Sequence, residues 1–291
     1  MTEFTPTIPG PDPNTKTPAF RPPPNSCDSH THIFGPGDTY PYAPDRTYTP
    51  PDAPLEKFRE LHDKLGIDRA VIVNASCHGL DNRVVLDAIA KSGGRYRGVV
   101  NIDESIGDRG LRNLHEGGAR GCRFNFVRHL GGVPDMKAFE RVVAMIAPLG
   151  WHLDLHFDAI DLADYAPILD KLPVRYTIDH MGRVNAAGGL RQKPFETLLA
   201  LMRNDEKCWV KVSGGERISS FGPPFHDAAP FARMIVDAAP DRVLWGTDWP
   251  HPNVKIMPND GDLVDLIPLF LPEPELQRKV LVDNPARLFE F

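Results

Sequence analysis

Cysteine is scarce in this chain: Cys27, Cys77, Cys122 and Cys208 are the only four in 291 residues, and no two form a CxxC pair. Three of the four sit in apolar, strand-like runs, the pattern of buried free thiols in a reducing compartment. Long apolar runs are missing too; no stretch approaches the roughly 20 residues of a membrane span. The N-terminus has no basic segment followed by an apolar core, so no secretory leader is expected and a cytoplasmic protein is. Positive charge is not in excess. The formal net charge of -6 argues against nucleic-acid or membrane-surface partners. An anionic small molecule would therefore have to be drawn in by a local cluster of Arg or His.

Proline is plentiful, and it is concentrated early. Residues 1–26 are rich in Pro, Thr and Asn, with a Pro22–Pro24 run, and read as an extended arm that wraps over the rest or meets a second copy in a homo-oligomer. Residues 27–291 read as a single domain. Apolar runs at Ser26–Phe34, Arg69–Asn74, Tyr96–Ile102, Gly121–Phe126, Trp151–Phe157, Val174–Ile178, Cys208–Val212 and Arg242–Trp245 alternate with helical patterns near 53–65, 81–92, 108–117, 135–148, 161–171, 191–203, 228–239 and 262–283. Gly66 is placed as a helix stop, and Asp81, Asp108 and Asp135 as N-caps. Eight strand–helix units are the count of a (β/α)8 TIM barrel, which needs about 250 residues. An open doubly wound sheet would use the same alternation, but no glycine-rich phosphate fingerprint follows the first strand.

Barrel active sites gather at the C-terminal ends of the strands. Here those ends carry Asp28-Ser29-His30-Thr31-His32, Arg123-Phe124-Asn125, Asp154-Leu155-His156, Asp179-His180 and Gly246-Thr247-Asp248. His30 and His32 alternate by two, so both point to one face of a strand, the barrel interior. A lone His-x-His is weak evidence. Joined to His156, His180 and Asp248 at three other strand ends, it is specific. Asp28 is placed to orient an imidazole from behind. Asp179 alternates with His180 and is expected to point away from the interior.

This pattern resembles the amidohydrolase superfamily. The stretches SCDSHTHIFGPGDTYPYAPDRTYTP, VIVNASCHGLDNR, GCRFNF, IDHMGR and VLWGTDWPHPN are similar to the 2-pyrone-4,6-dicarboxylate hydrolase (lactonase) group within it, which includes the 4-sulfomuconolactone hydrolases. The resemblance covers the chain from about Cys27 to its end. It implies an amidohydrolase-type barrel that hydrolyses a small anionic lactone in aromatic-compound catabolism. His30, His32, His180 and Asp248 match core catalytic positions. Arg123 and Arg217 match arginines that hold substrate carboxylates, and Tyr48 and Ser76 match further substrate contacts.

Two departures bear on the substrate. Where the pyrone lactonase has a second arginine after RFNF, this chain has His129, with Arg128 before it. At the end of the fifth strand, where that enzyme has a tyrosine and works without metal, this chain has His156. An imidazole there restores a ligand position of the metal-dependent relatives. The expectation is one zinc per chain on His30, His32, His156 and Asp248, with Asp248 also the general base. His180 either ligates the metal or hydrogen-bonds the carbonyl or the water. The leading substrate is 4-sulfomuconolactone, giving maleylacetate and sulfite; 2-pyrone-4,6-dicarboxylate is the rival. A metal-dependent decarboxylase is the alternative of another class, and carbon dioxide release would reveal it. A non-catalytic binding module is disfavoured because the whole ligand set is present. His62, His115, His152 and His226 read as structural or solvent-facing, His78 and His251 as supporting or loop-packing residues, and a Cys77 nucleophile is disfavoured.

Overall fold

Eight parallel strands run in sequence order around a barrel. They are β1 (Cys27–Thr31), β2 (Arg69–Val73), β3 (Tyr96–Val100), β4 (Ala119–Asn125), β5 (His152–His156), β6 (Tyr176–Ile178), β7 (Cys208–Lys211) and β8 (Val243–Leu244). The structure, a computed structural model, describes residues 5–127, 130 and 132–291, so Arg128 and His129 lie outside the described residues. Helices α1 (Leu55–Leu65), α2 (Arg83–Ala90), α3 (Gly107–Glu116), α4 (Met136–Ile146), α5 (Leu162–Leu169), α6 (Lys193–Asn204), α7 (Gly215–Ile218) and α8 (Ala229–Ala238) connect them. Three backbone hydrogen bonds join the first strand to the chain leaving the last: Ser29 N to Trp245 O, Asp248 N to His30 O, and His32 N to Trp249 O. Gly246 permits this approach. A Cβ there would lie 2.6 Å from the His30 nitrogen.

The β-strand period of two sorts the side chains into two apolar layers. On β2, Ala70 and Ile72 face outward and join the core with Phe58 of α1 and Val85 of α2. Val71 and Val73 face inward and meet Cys27, Val99, Trp209 and Leu244, with Leu288 and Phe289 of the C-terminal helix Asn284–Phe289 completing the layer. This apolar plug fills one end of the barrel, so the polar chemistry is confined to the other.

Several element boundaries differ from expectation for local reasons. Gly66 does end α1, in the left-handed region at φ 74, and Asp135 does cap α4, accepting from Lys137 N and Ala138 N. Asp81 is not a cap, since Asn82 takes that place before α2. Asp108 lies inside the first turn of α3, where the helix dipole favours a carboxylate. The expected helix over 262–283 is broken into Asp260–Asp265, Ile267–Phe270 and Pro274–Arg278, followed by a π-helical turn, because Pro268, Pro272 and Pro274 cannot donate to a continuous ladder. Residues 5–26 carry neither a helix nor a strand, only a bridge from Thr7 to Thr49. They lie against the segment after β8, with Lys16 N on Asn259 and Phe20 N on Asp265. No helix among the described residues is long and apolar enough to cross a membrane.

Candidate active site

Asp248 sits just beyond β8 with a left-handed backbone, φ 68, and its carboxylate is the focus of the site. Its Oδ1 lies 3.4 Å from His32 Nε2, 3.6 Å from His30 Nε2 and 3.8 Å from His180 Nε2. Neither Oδ1 nor His30 Nε2 has a hydrogen-bond partner, although both are buried. On the far side, Oδ2 accepts from Arg217 Nε at 2.8 Å and from Arg217 Nη2. Of nine described non-glycine residues with positive φ, six fall at the tips of β6 and β8: His180, Met181, Arg183, Asp248, His251 and Asn253. Strained backbone concentrated in this way marks a functional site.

The expected residues come together. Tyr48, Ser76, Arg123, His156, His180 and Arg217 line one pocket with His32 and Asp248, and His30 lies buried beside Asp248. Gly214 makes room for His180, because a Cβ there would lie 2.8 Å from the His180 Cβ and 3.0 Å from its ring. The second nitrogen of each ring is also held. His32 Nδ1 donates to Val73 O at 2.8 Å, which leaves Nε2 bare. His180 Nδ1 meets Ser213 Oγ at 3.0 Å.

Burial dominates the electrostatics. It holds His30, His180 and His156 well below the usual imidazole range, with Lys211 adding to the effect at His30 and Arg123 at His156. Burial alone would raise the Asp248 carboxyl, but the Arg217 guanidinium and the neighbouring imidazoles hold it well below the usual range. His30, His156 and His180 are thus held toward the neutral form and Asp248 toward the ionised form, the protonation states in which such groups bind metals.

The imidazole and carboxylate donor set fits a divalent metal ion. His30, His180 and Asp248 present ligand atoms mutually within 4.8 Å. His32 Nε2 adds a further donor 3.4 Å from Asp248 Oδ1. His156 stands apart from this group. Its Nδ1 faces Asn125 Oδ1 at 3.1 Å and Arg123 Nη2 at 3.2 Å, and its Nε2 faces Arg183 Nη1 at 3.4 Å.

Two expectations are corrected. Asp179 points inward: it is fully buried, with Oδ1 3.1 Å from Lys211 Nζ and 3.3 Å from His30 Nδ1, and Oδ2 3.3 Å from Arg123. Alternation through β6 makes Thr177 and Asp179 interior, and the left-handed turn at His180 (φ 51) then brings the next side chain inward as well. Asp28 holds the His30 backbone nitrogen and Thr247 rather than either ring of the His pair; the imidazole near it is that of His62, at 3.4 Å. The sequence reading missed Lys211 and Asp154, whose Nζ–Oδ distances are 2.7 and 2.8 Å inside the barrel. Asp154 is two residues before His156 and Lys211 interrupts an apolar strand, so both signals were available. Cys77 is fully buried, which pushes its thiol up to about 12 and argues against a nucleophile. All four cysteines are free and buried. His251 is buried and bonded to Asp260 at 3.0 Å.

Fold and site together define a class: a (β/α)8 barrel whose strand tips gather imidazoles, a carboxylate and guanidinium groups. The amidohydrolase family matches residues 27–291, and the chain belongs to that family. It is 46% identical over 285 residues to a 2-pyrone-4,6-dicarboxylate hydrolase of Comamonas testosteroni, covering 95% of this chain and 93% of that one. It is 44% identical over 291 residues to a 4-sulfomuconolactone hydrolase of Hydrogenophaga intermedia, covering 99% and 96%. A crystal structure of an Agrobacterium tumefaciens protein in its apo form superposes with a TM-score of 0.80 at 29% identity, covering 94% of this chain and 98% of that one.

Proposed function

We propose that this chain is a metal-assisted lactonase that opens a small dianionic lactone, with 4-sulfomuconolactone as substrate. The observation that carries this reading is the convergence of His30, His32 and His180 on one unbonded oxygen of Asp248, inside a pocket that also holds Arg123 and Arg217. The names of the two relatives, both lactone hydrolases, support cleavage of a cyclic ester.

Zinc, one per chain, fits His30, His32, His180 and Asp248, where it would lower the pKa of water to about 7 and polarise the lactone carbonyl. Asp248 is the general base. Its carboxylate takes a proton from the attacking water, whose oxygen bonds to the carbonyl carbon as the ring C–O bond breaks. The proton then passes to the departing ring oxygen. The released hydroxyl is on the carbon bearing the sulfonate, and that carbon expels sulfite to become a ketone, giving maleylacetate.

Arg123 is the principal anion anchor; its Nε is buried without a partner. Arg217 is shared between Asp248 and the substrate, and Tyr48 and Ser76 supply hydroxyl contacts. Arg128 and His129 are assigned to the second anionic group on sequence grounds. His156, in its collar of guanidinium groups, faces the substrate rather than the metal.

The test is a comparison of kcat/KM on the sulfonated lactone, 2-pyrone-4,6-dicarboxylate and a neutral butenolide, with sulfite and carbon dioxide measured. Sulfite release with preference for the sulfonated lactone is expected. Preference for the pyrone would move the assignment to that substrate, and carbon dioxide release without ring opening would overturn it.

A further inference from the structure

Lys211 is the one charged residue in the strand Cys208–Lys211, and its side chain is wholly buried. Its Nζ donates to Asp154 Oδ1 and Oδ2 at 2.7 and 2.8 Å, lies 3.1 Å from Asp179 Oδ1, and lies 3.0 Å from His30 Nδ1. Arg123 stands 3.3 Å from the other oxygen of Asp179. Two cations and two carboxylates thus balance beneath the site, as buried charges must.

This arrangement dictates where His30 carries its proton. Facing two carboxylates, Nζ is an ammonium with three N–H donors and no lone pair. In its contact with Nδ1 the ring nitrogen must therefore be the acceptor. A neutral imidazole has a single N–H, so that proton is placed on Nε2, the atom 3.6 Å from Asp248 Oδ1. A lone pair on Nε2, which a metal needs, requires the proton on Nδ1 instead. The acceptor within reach for that tautomer is Asp179 Oδ1, at 3.3 Å. Lys211 and Asp179 are therefore mutually exclusive partners of one nitrogen, and they select opposite faces of the same ring.

We propose that Lys211 is a positioning residue that sets the His30 tautomer: bonded to Nδ1 it turns His30 into an N–H donor toward Asp248 and restrains metal uptake, and metal binds when Nδ1 is handed to Asp179. The tautomer assignment stands on the geometry alone; the restraint on metal rests on the ligand set proposed above. A carboxylate accepting from the far nitrogen of a ligating His is the arrangement that fixes and strengthens such a ligand.

The test uses the full chain labelled with 15N at histidine. Long-range 15N–1H correlation on chelator-treated wild type is expected to give the Nε2–H form for His30, identified by its loss in His30→Gln, and zinc is expected to convert it to Nδ1–H. The double variant Lys211→Met/Asp154→Asn removes one cation and one anion and so preserves the balance of charge. It is expected to show Nδ1–H without metal and to bind zinc at least tenfold more tightly in competition with a chromophoric chelator. An Nδ1–H form in metal-free wild type overturns the inference, as does a folded double variant with unchanged tautomer and zinc affinity. If the double variant does not fold, the wild-type spectrum decides alone. If neither protein binds zinc, the ligand assignment and the restraint on metal fall together, while the metal-free wild-type spectrum still decides whether Lys211 sets the tautomer.

Discussion

Arg217 places two donors on a single oxygen of Asp248, Oδ2, and leaves Oδ1 to the three imidazoles. The guanidinium keeps the carboxylate ionised and fixes its orientation, so that one edge of the group is structural and the other is open to chemistry.

Replacing that carboxylate tests its role as a base once the zinc content of the variant is measured beside its rate. Asp248→Asn keeps the size and loses the proton acceptor. A positioned general base contributes about 10²- to 10⁴-fold, so kcat is expected to fall by that factor. Steady-state rates on the sulfonated lactone provide the measurement. A near-normal kcat would remove Asp248 from the proton-transfer step.

Metal content separates the two histidines that meet at the pocket wall. The purified chain is expected to carry close to one zinc, read by elemental analysis, and strong chelation is expected to abolish turnover. His180→Gln removes an atom of the group within 4.8 Å and should lose most of the metal. His156→Gln should retain it, because the nitrogens of His156 face Asn125, Arg123 and Arg183. Equal metal loss in both variants would return His156 to the ligand set.

Acid stability reports a different buried imidazole. His152 lies in β5 at the closed end of the barrel, against the Phe289 ring and the Arg120 carbonyl. Burial lowers its pKa to about 4. The unfolded chain, with a His pKa near 6.5, binds this proton first, so the stabilisation is complete above about 6.5 and is lost as pH falls toward 4. The window is worth about 3 kcal/mol. In His152→Leu, denaturant unfolding between pH 4 and 6.5 should have a slope shallower by about one proton than wild type. An unchanged slope would show that His152 does not titrate with unfolding.

Much of this architecture was legible in the sequence, and the failures have physical causes. The strands were visible because barrel strands are buried on both faces and read as apolar runs. The cluster of His and Asp was visible because the strand tips of a barrel converge, which brings His30 and Asp248 together across 217 intervening positions. Asp179 was misread because alternation assumes extended backbone, and the chain abandons it at His180. Lys211 escaped notice because a lysine in a strand ordinarily marks a solvated edge, whereas this one neutralises carboxylates from two neighbouring strands. The final helix was overextended because its periodicity was trusted across three prolines.

Substrate charge gives the sharpest test of the site, and Arg123 is the place to apply it. A methionine there would remove the anion anchor and also strip Asp179 of a cation 3.3 Å away, so any loss would be ambiguous. Arg123→Lys keeps the positive charge and removes only the planar fork that matches a carboxylate or sulfonate. A hydrogen bond to a charged group is worth about 1.5–3 kcal/mol, so kcat/KM for the dianionic lactone should fall about 10- to 200-fold. The loss should appear mainly in KM, because the fork holds a part of the substrate remote from the scissile bond. A neutral butenolide has no group for the fork and should be turned over by Arg123→Lys much as by wild type. Zinc content should stay the same in both proteins, since Arg123 is not among the proposed ligands. Equal losses on the charged and the neutral lactone would mean that Arg123 holds Asp179 and the fold rather than the substrate, and the dianionic-lactone assignment would lose its main support.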